Sequence, residues 1–562
     1  MTGDNNFFNI NLASLSKTNT KLYLQLKNYQ DNIPSNHYTF IQSRTGETVP
    51  VKNDQLLHSA IDPKREAQRL VSSVTERQNT FFLIFLGLGG GFSPEAALEL
   101  TDSIITIIDF DIAGIAELFS SKDYSHLINN DRVSFLIDPS GEEIKEYLIN
   151  NFIPALYDGI KTIPLRTRTE NDRLPFDSVI KNIQEAIDII SGDYSVQAHF
   201  GKRWYSNIIR QLANNENPLK NNSIIQGKIE NANFECAIIA AGPSLDIQIK
   251  TIAEMKSKGV LIISSDTAFP ALTHNNIEPD LIVSIDCQHI SYYHFLNFKP
   301  RSIPLILDIA SPPLLSRLSE TPVFFASNHP LARHIAQINQ LPLLDTSGAN
   351  VTYACLSLAE LLGAKRITLF AADFSYVNSQ SYARGTYIYP YFLKRQNRFS
   401  TAETLFSKFL YRSPFVNSVI NKDNKYYETS SLRFYRKKLE EKVSLMQADV
   451  LGTSGMGTSF SEKKEKGIID QKAENKNQTT KKREQIKNGV EILIEYKENI
   501  LALPLAQENE NYIKKINNEQ LQIFYTLLPY AAFIRKQNPA IKIKEIIEEV
   551  KRCSILEIEK FL

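Results

Sequence analysis

The chain has 562 residues, 63 Lys+Arg against 62 Asp+Glu, a formal net charge of +1, and 43% hydrophobic residues. At roughly 150 residues per domain, that length makes about three domains. The charge balance excludes the global basic excess of a protein that coats nucleic acid, so no nucleic-acid partner is expected. Four cysteines, Cys236, Cys287, Cys355 and Cys553, stand far apart without a C-x-x-C pair, which argues against zinc clusters and disulfide frameworks. The longest apolar stretch, Phe81 to Leu88, is far short of the roughly 20 residues of a membrane helix. The N-terminus also lacks the basic-then-apolar order of a signal peptide, so no membrane span and a cytoplasmic location are expected.

Residues 1–75 form a polar, Asn-rich N-terminal segment with a helical piece near Thr20 to Gln30. Residues 76–175 read as a Rossmann-like unit. A buried apolar run ends in Gly87-Leu88-Gly89-Gly90-Gly91, a helix starts at Ser93-Pro94-Glu95 with Ser93 as its cap, and two further runs end at Asp109 and Asp138. The glycine run is an imperfect dinucleotide fingerprint because Phe92 stands where the third glycine would, although Asp109 follows about twenty residues on, where a ribose ligand would lie. A degenerate scaffold is the preferred reading. Asp109-Phe110-Asp111 is a D-x-D pair, and none occurs in the sheet that follows.

Residues 176–225 predict a helical connector, Asp177 to Ile190 and Gln197 to Leu212, broken by Ser191-Gly192-Asp193. Trp204 has Phe200, Tyr205 and Ile208 at helical spacing and reads as core. Residues 226–415 predict a second, larger doubly wound sheet with apolar runs at 236–241, 260–265, 281–285, 303–307, 323–326 and 367–371. Residues 416–562 become charged and helical, with a charged linker at 461–487. The fold class is therefore α/β: two Rossmann-like parallel-sheet domains followed by a mainly helical C-terminal region.

Open α/β sheets bind ligands outside the carboxyl ends of their strands. In the second sheet those ends carry Gly242-Pro243-Ser244-Leu245-Asp246, Ser264-Ser265-Asp266, Asp286 with Gln288, Asp308, Ser327-Asn328-His329 and Asp373. Gly242 lets backbone approach a ligand, and Ser244 opens a helix whose free N–H groups favour phosphate; the same residues serve equally as a turn with Ser244 as cap. Gly348-Ala349-Asn350-Val351-Thr352 repeats the pattern of small residues at a helix start.

With these motifs in view, the chain resembles the motility-associated factor family of flagellin glycosyltransferases. The resemblance rests on Leu57 to Ala67, the glycine run 87–91, the helix around Trp204, Ala241 to Asp246, Ser265 to Ala268, Asp280 to Asp286, and Gly348 through Asp373, and it spans roughly residues 55–445. The central domain also resembles the 6-hydroxymethylpterin diphosphokinases. The resemblance implies transfer of a nonulosonic, sialic-acid-like sugar from a CMP-linked donor to Ser or Thr of flagellin or another flagellar protein, with no cofactor required. It places Gly242, Pro243, Ser244 and Asp266 on the nucleotide, and Asp286, Asn328 and Asp373 near the sugar or acceptor, with Gly348 also a substrate-binding residue. A His-Ala-x-Gly segment common in the family reads Tyr382-Ala383-Arg384-Gly385 here.

Such a transfer needs a base for the acceptor hydroxyl and polar support for an oxocarbenium-like state, and Asp266 and His329 are the residues expected to act. Two alternatives stand beside it: a diphosphokinase using ATP and Mg²⁺, and a non-catalytic flagellar assembly or chaperone factor.

Overall fold

The computed structural model describes residues 6–75, 80–214, 234–377, 380–413, 415–421, 424–453, 455, 457, 487–508 and 510–562. The chain forms two compact units, Met1–Gly201 with Asn499–Ser554, and Lys202–Glu498 with Ile555–Leu562.

The first unit is built on four parallel strands, β1 (Phe82–Leu86), β2 (Ile104–Asp109), β3 (Val133–Ile137) and β4 (Ile160–Pro164), in the order β3-β2-β1-β4. Strands β1 and β2 are buried at every position, because helices cover both faces of a parallel sheet and leave no residue for water. The polar first 75 residues supply much of that cover. Phe8, Leu12, Leu15, Leu22 and Leu26 of helices Asn6–Thr18 and Thr20–Lys27 share one core with Leu83, Phe85, Ile105 and Ile107. A three-stranded antiparallel sheet (Thr39–Gln42, Thr48–Lys52, Gln55–Leu56) follows, then helix Pro63–Val74, whose cap Asp62 accepts the Arg65 N–H. The next helix starts at Phe92 rather than at Ser93: its cap is Gly91 at φ +77°, a left-handed position that the glycine reaches without strain and where no side chain caps.

Between Arg173 and Asn214 the chain is a single helix of 42 residues, not two pieces broken at 191–193. The apolar stripe Phe176, Val179, Ile183, Ala186, Ile190, Ala198 continues across the expected turn at helical spacing, and all six are buried. A glycine inside a helix costs only about 1 kcal/mol relative to alanine, less than burying two of those side chains returns.

The second unit holds a seven-stranded parallel sheet: β5 (Glu235–Ile239), β6 (Leu261–Ser265), β7 (Leu281–Ser284), β8 (Leu305–Asp308), β9 (Pro322–Phe325), β10 (Arg366–Phe370) and β11 (Asp449–Gly452). The spatial order is β9-β8-β7-β6-β5-β10-β11. Alternation along β5 divides the core. Cys236 and Ile238 pack with helix Val351–Leu362 and with Leu439 and Val443, while Ala237 and Ile239 pack with Leu245, Ile252 and Leu272 on the other face.

Beyond residue 415 the expected helical character begins only after a hairpin, Val416–Asn421 with Asn424–Thr429, and the edge strand β11 lies further on. Helices Ser430–Leu445, Gly489–Leu501, Asn518–Gln537 and Ile543–Glu559 account for most of the rest. The charged linker lies outside the described residues except for Lys487. Among the described residues, no helix is long and apolar enough to cross a membrane.

Candidate functional site

Each parallel sheet has one point where chain order reverses, between β1 and β4 in the first unit and between β5 and β10 in the second. The crevice beyond the strand ends at such a point is where open α/β sheets take ligands.

In the first unit that crevice is filled by the protein itself. The buried His58 ring accepts the Gly90 N–H through Nε2 at 2.9 Å, the Tyr124 hydroxyl donates to the Gly89 carbonyl at 3.0 Å, and Lys122 donates to the Gly90 carbonyl at 3.0 Å. A Cβ on Gly89 would land on His58 and Leu165, and one on Gly90 on the Phe92 ring. The glycines therefore serve packing by these side chains. Asp109 sits where a ribose ligand would, but it accepts the Leu88 N–H at 2.7 Å and pairs at 2.8 Å with Arg168 just beyond β4, both side chains fully buried. The cavity left beside the loop is about 10 Å³, room for about one water molecule. Asp111, the other half of the D-x-D pair, lies 2.6 Å from the His37 ring and accepts the Gly114 N–H at the start of helix Ile112–Ser121.

The second switch point is arranged differently. Gly242 follows β5 so closely that a Cβ would land on the Ala371 carbonyl and the Asp373 carboxylate. Ser244 does not cap the helix Leu245–Ser257. Its N–H donates to one Asp373 oxygen at 2.7 Å and its hydroxyl donates to the other, and the Gly457 N–H reaches the same carboxylate. Three donors, two of them on Ser244 at the helix start, thus converge on one buried carboxylate. Burial raises the Asp373 carboxyl above its ordinary pKa despite these donors. The flanking backbone is strained, with Ala371 at φ +54° and Phe374 at φ +45°, a left-handed region that costs a side-chain-bearing residue on the order of 1–3 kcal/mol.

The ends of β6 and β7 add a second group. Asp266, 1% exposed, accepts the Ser284 hydroxyl at 2.7 Å, the Thr267 N–H at 2.6 Å and the Thr267 hydroxyl at 3.0 Å. Three of the four acceptor positions of its carboxylate are filled, which leaves little of the freedom the expected base would need. Asp286 accepts the Gln288 N–H at 2.8 Å, and its pKa is raised by burial and by the nearby Asp266 charge. His294, 8% exposed, stands edge-on to the Tyr387 ring at 4.5 Å; both aspartates act on it, and burial holds its pKa below the ordinary histidine value. Arg412 lies over the Phe409 ring at 3.7 Å and bonds the Tyr376 hydroxyl. Its charge also reaches Tyr382, Tyr387 and Tyr435. Tyr382 is one wall of this aromatic group, 6.3 Å from Tyr387 and 6.1 Å from Phe409.

The remaining residues singled out from the sequence are spread more widely. Pro243 is buried in the turn, and Asn328 is exposed. Gly348 is needed for contact with Tyr353, since a Cβ there would land on the ring, while Asn350 caps helix Val351–Leu362. Asp308 is buried, accepts the Ala310 N–H at 2.9 Å, and its pKa is pushed up to about 6. The other expected base, His329, is buried. The ring packs edge-on against Trp204 at 5.0 Å, neither nitrogen has a hydrogen-bond partner among the described residues, and burial drives its pKa down to about 3. Sequence reasoning missed His294, Tyr387, Arg412, Gly455 and Gly457. Of these only the Gly455-x-Gly457 spacing left a signal, and a Cβ on either glycine would land on Ser244 or Asp373.

The family model for 6-hydroxymethylpterin diphosphokinase MptE-like proteins matches residues 206–379, which hold β5 to β10 and most of the strand ends described above. A search of solved structures finds the Maf glycosyltransferase from Magnetospirillum magneticum AMB-1, with a TM-score of 0.56 and 13% identity over 99% of this chain and 96% of that one. This is a likeness in fold along the whole chain. Among curated proteins, an uncharacterized protein of Treponema pallidum (strain Nichols) is 35% identical over 125 residues, 22% of this chain and 45% of that protein. The chain thus spans less than half the length of that relative. A second uncharacterized protein of the same organism is 30% identical over 184 residues, 32% of this chain and 84% of that protein. The chain therefore belongs to the family of this second Treponema pallidum protein, and it has the fold of a Maf glycosyltransferase with an MptE-like region at its centre.

Proposed function

We propose that the protein is a glycosyltransferase that moves a nonulosonic sugar from a CMP-linked donor to Ser or Thr hydroxyls of flagellin or another flagellar protein, without a required cofactor. The observation that carries this reading is the convergence of the Ser244 N–H, the Ser244 hydroxyl and the Gly457 N–H on a single anion at the switch point of the second sheet. Asp373 takes these donors in this structure, and a nucleotide phosphate would use them at the positive end of the helix Leu245–Ser257 by displacing its carboxylate. Gly242 and Pro243 shape that turn. Asp266 and Asp286 follow β6 and β7, the next two strands of the sheet, where Asp266 would hold the nucleotide and Asp286 would lie near the sugar or acceptor.

A second reading, diphosphate transfer from ATP with Mg²⁺ to a hydroxymethylpterin, is favoured by the description of the family model over residues 206–379. Calorimetric titration with CMP, CTP and ATP separates the two. Binding of CMP in the absence of metal supports glycosyl transfer, ATP binding that requires Mg²⁺ supports the diphosphokinase, and binding of neither favours an assembly factor. Ser244→Ala is expected to weaken CMP binding about tenfold, the loss of one hydrogen bond to a charged group; unchanged affinity would move the nucleotide elsewhere.

A further inference from the structure

Between Arg384 and Arg412 the sequence carries six Lys or Arg and a single acid, Glu403, in a chain whose net charge is only +1. This stretch folds as two short helices, Ile388–Leu393 and Ala402–Leu410, locked together where the Phe406 ring meets Phe392 at 4.9 Å and Tyr389 at 5.0 Å. The turn that joins them is fixed as well. Asn397 and Ser400 exchange backbone hydrogen bonds at 2.9 and 3.2 Å, and the Asn397 side-chain oxygen accepts the Phe399 N–H at 2.9 Å and the Ser400 N–H at 3.0 Å. Arg398 and Phe399 form the tip of this turn. Every residue from Leu393 to Phe399 is exposed, Leu393 by 53% and Phe399 by 94%. Arg395 lies over the Tyr391 ring at 3.8 Å, and none of Lys394, Arg395 and Arg398 pairs with a carboxylate among the described residues.

We propose that this tip docks on the surface of an anionic lipid bilayer, a property that goes beyond glycosyl transfer and does not depend on it. Folding gives no reason to hold a phenyl ring in water, because at 94% exposure it returns almost none of the free energy that its burial would release. Three cations between Leu393 and Phe399 call for an anionic partner, and the two apolar side chains that flank them call for one with an apolar interior. A bilayer with anionic headgroups offers both, phosphates at its surface and acyl chains beneath. Its fluidity also suits a projecting tip. A folded protein partner would need a pocket shaped to the phenyl ring, whereas a lipid interface closes around whatever enters it. Single-stranded nucleic acid is held by a groove with successive stacking rings, and the tip presents one ring, Phe399.

The test is co-sedimentation of the full chain with vesicles of phosphatidylcholine alone and of phosphatidylcholine mixed with phosphatidylglycerol. It compares the native chain, the triple variant Lys394→Gln, Arg395→Gln, Arg398→Gln, and the single variant Phe399→Ser. The native chain is expected to bind the anionic vesicles at least about tenfold more tightly than the neutral ones, and to release them as salt is raised. The triple variant should lose on the order of 100-fold in partitioning, since each Lys or Arg near an anionic surface contributes about fivefold, and Phe399→Ser should lose about tenfold. All four side chains are exposed, so urea midpoints should match that of the native chain. A separate variant, Phe399→Trp, reads the tip directly: its emission should shift to the blue on anionic vesicles, above the constant signal of Trp204. Equal binding to neutral and anionic vesicles, no binding to either, variants that bind as the native chain does, or an unshifted Phe399→Trp emission each overturn the proposal. Binding to polyglutamate or to a single-stranded oligonucleotide but not to vesicles assigns the tip to an acidic protein or to nucleic acid, and overturns it too.

Discussion

The two sheets solve the same topological problem in opposite ways. At each switch point a glycine-rich turn after one strand meets a charged side chain carried just beyond its neighbour: Arg168 after β4 in the first unit, and Asp373 after β10 in the second. Arg168 is matched by Asp109, and the surrounding glycines are filled by His58, Leu165, Phe92 and Tyr124. Asp373 has no cation opposite it among the described ion pairs. It takes N–H and O–H donors, its backbone neighbours are strained, and burial raises its pKa, as it does for Asp286 and Asp308 at other strand ends of the same sheet. A satisfied, closed switch point is a scaffold. One that keeps carboxylates at a cost in stability has the character of a site, since folding alone gives no reason to retain them.

That contrast can be broken most sharply in the first unit. Replacing Arg168 by Met should leave the buried Asp109 charge unpaired and cost about 3–5 kcal/mol in chemical denaturation, while CMP affinity of the folded protein stays unchanged. A loss below about 1 kcal/mol would mean that the pair does not hold the turn. The buried His58, with its pKa down to about 4, should contribute stability that is complete above pH 6.5 and is lost as pH falls toward 4, about 3 kcal/mol in all. Urea midpoints between pH 7 and pH 4 measure it, and His58→Gln should flatten that slope.

The opposite sign is expected in the second unit. Asp308 has its folded pKa raised from 3.8 to about 6, so its contribution is favourable below pH 4 and lost as pH rises through 6. Asp308→Asn, which keeps an oxygen for the Ala310 N–H, should therefore stabilise the protein at pH 8 by about 3 kcal/mol and leave it unchanged near pH 4. Destabilisation at pH 8 would place Asp308 with Asp109 as a structural acid. The smallest effect tests the helix that starts in the first unit: Gly192 is exposed and a Cβ there meets nothing within 4 Å, so Gly192→Ala should add about 1 kcal/mol if the helix is continuous.

Much of this architecture was legible in the sequence, for a physical reason. Central strands buried on both faces must be largely apolar, so β1, β2 and β5 to β8 announced themselves as apolar runs, and β10 and the edge strands β3 and β9 kept enough apolar residues to do the same. Strands β4 and β11 lie at sheet edges, where water reaches Lys161, Thr162 and Leu451, and their mixed composition carried no such mark. The long helix was misread at Ser191-Gly192-Asp193 because local turn propensity is weaker than the burial of an apolar stripe that only the folded unit makes visible.

The site divides along the same line. Residue type and position after a strand were enough to put Gly242, Ser244, Asp266, Asp286 and Asp373 along one edge of the second sheet, because the ends of parallel strands gather on one side of the sheet whatever the loops do. What each residue does there depended on through-space neighbours far away in sequence. Ser244 meets Asp373 across 129 residues, Asp266 is filled by Ser284, and His329 is taken up by Trp204. His294 and Tyr387 share a contact that no local pattern encodes. The sequence by itself determined two parallel sheets and the edge on which polar groups collect, since periodicity and burial are local properties of a strand. Only the tertiary structure decided which of the two switch points is closed by an Arg168–Asp109 ion pair and which by hydrogen bonds to the Asp373 carboxylate, since that depends on which distant charge arrives opposite each turn.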